Sequence, residues 1–200
     1  MSFRIEEKIP LSNSESTSLI YFLKKNGLSD LYPARTISSN YLESKDFDLF
    51  KSSEEGTLPR KKIRLRSYPK DESIRWKLEK KISSVEGRFK TSDLLSDADR
   101  QKIKSFGYFD NLYGNLEEIL NVTYLRKYYL FSEMRITLDT NIIYRDLKHN
   151  LVEKKEGLTV LEIKASKEIR IDLIKSLINE KTQRFSKYCN GIKALYSQFV

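Results

Sequence analysis

Apolar and polar residues alternate one by one along several stretches of this chain. A period of two predicts β-strands with one apolar and one polar face. In RKKIRLRSY (60–68), Arg60, Lys62, Arg64 and Arg66 share one parity while Ile63 and Leu65 take the other. SIRWKLEKKI (73–82) repeats the pattern, with Ile74, Trp76, Leu78 and Ile82 opposing Arg75, Lys77, Glu79 and Lys81. The turn-rich YPKDES between the two predicts a hairpin. At the N-terminus FRIEEKI sets Phe3, Ile5 and Ile9 against Arg4, Glu6 and Lys8. VTYLRKYYLF and EMRITLDT predict a second hairpin, and in the latter Met134, Ile136 and Leu138 oppose Arg135, Thr137 and Asp139. LTVLEIKAS places Glu162 and Lys164 opposite Leu161, Ile163 and Ala165.

Between the strands the pattern predicts helices. Ser12 or Ser14 caps one that runs to about Asn26, where an Asn-Gly pair stops it. A strand over 34–42 leads into a short helix over 46–53. Residues 91–120 are read as helical, and two helices, over 167–179 and 183–195, close the chain. The lysines of KHNLVEKKEG predict an exposed turn. Trp76 is expected on the apolar side of its strand beneath a helix, Cys189 packed in the last helix, and His149 in a solvated loop. No repeat or linker composition appears, so residues 1–200 read as a single domain.

The polar faces are what set this chain apart from an ordinary half-wet sheet. They are dominated by Arg and Lys with a few carboxylates. Like charges directly opposite one another destabilise a sheet, so Arg64 and Arg66 beside Lys77 and Lys81 require a compensating anion. An antiparallel sheet closed into a barrel leaves no exposed edge. If its charged face is interior, its apolar face is outside, where helices cover it. The predicted class is therefore α+β, a closed antiparallel barrel with flanking helices. Arg and Lys rings inside such a barrel suit a chain of phosphates. Inward carboxylates suit Mg2+ or Mn2+, cations usually shared with substrate phosphates.

Composition agrees with this picture and removes several rivals. The chain has 200 residues, 37 Lys and Arg against 28 Asp and Glu, and a net charge of +9. That excess implies a polyanionic partner. One cysteine and one histidine exclude an intramolecular disulfide and a zinc site built from Cys and His. A Ser-His-Asp triad would have to use His149, in the polar segment RDLKHN. The opening residues carry no apolar signal-like core and no stretch approaches a membrane span, so a cytoplasmic location is expected.

Six motifs, in order, resemble the vacuolar transporter chaperone (VTC) domain, the polyphosphate-polymerase branch of the triphosphate tunnel metalloenzymes. They are RIEEK, RKKIRLRSY, LEKK, YLRKYYLFSEMRITLD, VLEIK and RFSKYCNG. The resemblance implies an eight-stranded antiparallel tunnel that binds ATP and polyphosphate. Carried over position by position, Arg64, Arg66, Arg126, Arg135 and Lys187 would be the catalytic cations. Lys8, Arg60, Lys62, Lys81, Lys90 and Lys164 would bind phosphate, with Tyr124 on the wall and Ser186 donating a hydrogen bond. Glu162 would hold the metal, Mn2+ or Mg2+. Two features depart from the family pattern. NYLES places Glu43 where an Asp is usual, and the first strand carries only Glu6 on its inner face, which favours the VTC branch over thiamine triphosphatase or class IV adenylate cyclase relatives.

The implied activity is transfer of the ATP γ-phosphate to a growing polyphosphate chain, with no nucleic acid as partner. Two rivals stand beside it: a triphosphatase on the same fold, with water as acceptor, and a non-catalytic polyphosphate or nucleic-acid binding module. The twelve Tyr and ten Phe offer stacking surfaces to a nucleic acid, but aromatic residues at strand and helix spacing more often fill cores. A membrane partner is possible but is not encoded in these residues.

Overall fold

A computed structural model describes residues 4–70, 76–148, 152–166 and 185–197. In chain order its elements are β1 (Arg4–Leu11), α1 (Asn13–Lys25), β2 (Ser29–Glu43), α2 (Asp48–Glu55), β3 (Arg60–Ser67), β4 (Lys77–Ser84) and β5 (Gly87–Leu94). Then follow α3 (Asp97–Phe106), β6 (Tyr108–Asp110), β7 (Gly114–Phe131), β8 (Met134–Asp146), β9 (Glu153–Lys155), β10 (Thr159–Ser166) and α4 (Lys187–Tyr196). The class is α+β, dominated by antiparallel strands. The chain divides into two compact units, and each is assembled from three separate stretches.

The first unit comprises Met1–Arg35, Tyr124–Ile142 and Glu156–Phe185. Its strands run in the order β1-β10-β8-β7-β2. The alternation read from the sequence sets the register: Lys8 pairs with Glu162, and Glu162 with Thr137. Ile9, Leu11, Ile136, Leu138, Leu161 and Ile163 therefore fall on the opposite face, where they form one core with Leu19 and Leu23 of α1. Helix α1 starts at Ser12, whose side chain accepts from the Glu15 amide while Glu15 reaches back to the Ser12 amide. It stops at Asn26.

The second unit comprises Thr36–Thr123, Ile143–Lys155 and Ser186–Val200. Here the order is β7-β2-β3-β4-β5, with β6 beside β7 and β9 beside β8. Ile63 and Leu65 are wholly buried, as expected for the apolar parity of β3, and α2 packs on that strand. Helix α4 crosses the long strands at Gly191. A Cβ there would lie 2.8 Å from Leu120 and 2.9 Å from Tyr144, so only glycine allows this approach. Trp76, just before β4, lies under Arg100 of α3, whose guanidinium is 4.5 Å from the ring centroid. Cys189 is buried and unbridged.

Four expectations are corrected. The main path does contain eight strands, but among the described residues it ends at β1 and β5 instead of closing, and two short strands bring the total to ten. The end strand β5 is exposed along nearly its whole length and carries Arg88, Lys90 and Asp93, the charges that blunt a free edge. Second, residues 91–120 are not one helix. Gly107, at φ +79°, ends α3, and a side chain there would meet Asn115 and the Leu116 carbonyl within 2.8 Å. Beyond it Leu116, Leu120, Val122 and Tyr124 take up a strand period. Third, part of the predicted turn KHNLVEKKEG is a strand, β9, paired with β8. Fourth, β2 begins at Ser29, well before the predicted start. The helix predicted over 167–179, His149 and the second half of YPKDES lie outside the described residues.

Candidate functional site

The cations cluster in two places, one in each unit. In the second unit, β3, β4 and β5 align in rows across the sheet. Lys62 lies opposite Lys81, which lies opposite Lys90. The adjoining row on the same face is Arg64, Glu79 and Ser92, followed by Arg66 and Lys77. Three lysines in one row repel one another. The compensating anion is Glu79, which the sequence reading placed on this face without assigning it a role. Arg64 donates to its Oε2 from Nε at 2.8 Å and Nη2 at 2.6 Å, Lys90 to Oε1 at 2.9 Å, and Arg66 lies 3.5 Å away. Burial alone would raise the Glu79 carboxyl, but Arg64, Arg66 and Lys90 outweigh it and hold it down at about 2.

The neighbours of this face fix the remaining side chains. Tyr41 of β2 lies opposite Arg64 and accepts from its Nη1 at 2.9 Å. Burial raises the Tyr41 hydroxyl, yet the charges of Arg64, Arg66 and Lys62 leave it below its ordinary value. Lys62 donates to Ser186 Oγ at 2.8 Å and lies 3.5 Å from Cys189 Sγ. Ser186 caps α4, and its hydroxyl accepts from the Cys189 amide. The hydroxyl expected to donate is thus an acceptor for Lys62 and for the helix. Lys187 is half-buried at the first position of α4. Arg60, at the same parity as Lys62, donates to the Gly56 and Thr57 carbonyls at the end of α2.

Glu43 is likewise structural. Its carboxylate accepts from the amides of Ser44, Leu49 and Phe50 and from the Tyr188 hydroxyl, so it closes the start of α2. Burial raises its pKa against those four hydrogen bonds.

In the first unit the corresponding group spans β1, β10, β8 and β7. Glu162 is buried, with Lys164 Nζ 2.8 Å from one carboxylate oxygen and Arg126 Nη2 3.6 Å from the other. Burial opposes its ionisation, but Arg126, Lys8 and Lys164 draw it down to about 2. Arg126 is held by Asp139 through two hydrogen bonds of 2.6 and 2.7 Å. Asp139 has no exposed surface, and no site role had been assigned to it. The Arg126 guanidinium lies 5.4 Å from the Tyr124 ring centroid, and that of Arg135 lies 5.7 Å from Tyr128. Lys8 lies 3.4 Å from Glu6. The structure therefore gathers Lys8, Tyr124, Arg126, Glu162 and Lys164 here, and Lys62, Arg64, Arg66, Lys81 and Lys90 in the other unit.

Among the described residues no three Asp, Glu, His or Cys side chains come together to hold a divalent cation alone. Mg2+ needs only one or two carboxylates when substrate phosphates complete its shell. Glu162 fits that smaller role. Its carboxyl is held well below the ordinary range, and directly opposite it the Thr137 hydroxyl is buried with no hydrogen-bond partner among the described residues.

The sequence matches the VTC domain over residues 3–196, and the protein belongs to that family. The fold is shared with a candidate adenylate cyclase from Bacillus halodurans, at a TM-score of 0.64 and 16% identity over 98% of each chain. It is also shared with a candidate adenylyl cyclase from Hippeastrum that has a dominant triphosphatase activity, at 0.61 and 14% over 96% of each chain. No protein of curated function matches the sequence. No helix among the described residues is long and apolar enough to cross a membrane.

Proposed function

We propose that this protein is a metal-dependent enzyme acting on triphosphates, and specifically that it transfers the γ-phosphate of ATP to a polyphosphate chain. The observation that carries the reading is the row Lys62, Lys81 and Lys90 beside Arg64 and Arg66, with Glu79 among them. A face so rich in cations suits an extended anion, and phosphates bound in series supply one. Arg126, Arg135, Lys8 and Lys164 give the first unit phosphate-binding cations of its own.

No protein nucleophile is required. The terminal oxygen of the acceptor chain attacks the γ-phosphorus in line, the bond to the β-phosphate oxygen breaks, and ADP leaves. The protein positions the chains and spreads the developing charge over its guanidinium groups. Glu162 would hold Mn2+ or Mg2+, which neutralises phosphate oxygens when bound. Family membership supports this reading, and so does the fold shared with the Hippeastrum protein.

The test is incubation with ATP and Mn2+ followed by analysis of the products. Long-chain polyphosphate supports the transferase, whereas free phosphate alone assigns water as the acceptor and makes the protein a triphosphatase. Arg66→Ala should remove either activity. A folded Arg66→Ala protein with normal turnover would overturn the site.

A further inference from the structure

Glu79 is out of keeping with the rest of its face. The same side of β3, β4 and β5 presents Arg60, Lys62, Arg64, Arg66, Lys77, Lys81, Arg88 and Lys90, and one carboxylate stands among them. That carboxylate is 5% exposed and makes three hydrogen bonds of 2.6–2.9 Å to Arg64 and Lys90. Its two oxygens thus occupy the guanidinium and ammonium donors that a phosphate would use, at the distances a phosphate oxygen would adopt. Holding Arg64 in place does not depend on Glu79 alone, because Tyr41 accepts from the same guanidinium at 2.9 Å. Arg66 likewise has Ser39 Oγ within 3.4 Å. A carboxylate needed only for orientation would duplicate these hydroxyls. Its negative charge is what they do not supply.

We infer that Glu79 is a resident counter-ion that competes with a bound phosphate chain for Arg64, Arg66 and Lys90, and so limits how tightly the chain is held. Without ligand it offsets the repulsion between cations. With ligand it faces the phosphates as a like charge across shared donors, so each phosphate that engages Arg64 takes it partly from Glu79. A face of cations alone would bind a polyanion more strongly and release it more slowly. An enzyme that must let its chain advance or leave gains from a fixed anion at that point. Glu79 is thereby a positioning and affinity-setting residue, and it takes no part in bond making.

This inference rests on the phosphate-binding reading, and inorganic tripolyphosphate separates the two. Wild-type protein that fails to bind tripolyphosphate in a calorimetric titration would remove the reading itself. If wild type binds, Glu79→Gln should bind about tenfold tighter and release the ligand correspondingly more slowly, because the amide keeps an acceptor for Arg64 without the charge. Glu79→Asp, which keeps the charge, should stay within about twofold of wild type. Affinity unchanged or weakened in a folded Glu79→Gln protein would overturn the inference, since a merely structural carboxylate loses binding and stability together. A reading on the unaltered protein stands beside the variants. The side-chain carboxyl carbon resonance of Glu79 should move as tripolyphosphate is added, and a resonance that stays put while the ligand binds would also overturn it.

Discussion

Replacing Arg126 by methionine tests how the first unit's charges are balanced. Asp139 has no exposed surface, and its two oxygens accept from Arg126 at 2.6 and 2.7 Å. Met fills much of the arginine volume but removes the guanidinium from which buried Asp139 accepts. It also deprives Glu162 of a positive charge 3.6 Å away. Breaking a buried pair from one side costs about 3–5 kcal/mol, a large part of the roughly 5–15 kcal/mol that holds a domain folded. Neutralising the partner as well, in Arg126→Met with Asp139→Val, removes the buried charge. The double variant should therefore cost about 2 kcal/mol less than the sum of the singles, the coupling expected of residues in contact. Urea unfolding followed by circular dichroism measures all three free energies. A single Arg126→Met cost below about 1 kcal/mol, or singles that simply add, would refute the balance described for this pair.

Three further outcomes follow from other parts of the molecule. Glu79 and Glu162 have folded pKa values near 2 against an ordinary 4.5. Their contribution to stability is therefore complete above about pH 4.5 and is lost as pH falls towards 2. Glu43 is shifted upward and works the other way, so its ionisation weakens the fold as pH rises through its raised value. Melting temperatures should fall on acidification below pH 4.5, and Glu162→Gln should flatten that dependence. Gly191→Ala places a methyl group 2.8 Å from Leu120 and should cost about 1–3 kcal/mol by overpacking, measured by urea unfolding. Ser12→Ala removes the N-cap and capping box of α1 and should cost about 1 kcal/mol by the same assay.

Strand alternation was legible because each residue's parity fixes its face regardless of what lies beyond it. The rows Lys8–Glu162–Thr137 and Lys62–Lys81–Lys90 follow from that period once the registers are known. The registers were not legible, since they depend on which strands meet. From the sequence, Arg64 and Arg66 are expected near Lys77 and Lys81 with a compensating anion; Arg66 does lie opposite Lys77, and only the register shows that Glu79 is the carboxylate opposite Arg64. Asp139 was missed as the partner of Arg126 for the same reason: the two are thirteen residues apart on neighbouring strands. Arg60 shares the parity of its neighbours, but the end of α2 lies within its reach and its side chain takes the free carbonyls there. The strand in 114–131 was hidden by a shift of period within one window, where a short helix and a glycine break precede the alternation.

The pairing of Arg4 with Ser166 has a consequence for how this protein is made. Among the described residues β1 pairs with β10 alone, and β10 does not begin until Thr159. β1 must therefore wait, without its partner strand, while the residues between the two strands are synthesised. At about 5–20 residues per second that interval is on the order of ten seconds or more. During it an amphipathic strand is open to pairing with other nascent chains. The first unit is thus expected to complete its sheet late and slowly, as topologies of long sequence separation do. Yields in a heterologous host should respond to slower synthesis, lower temperature or chaperones that shield the N-terminal strand.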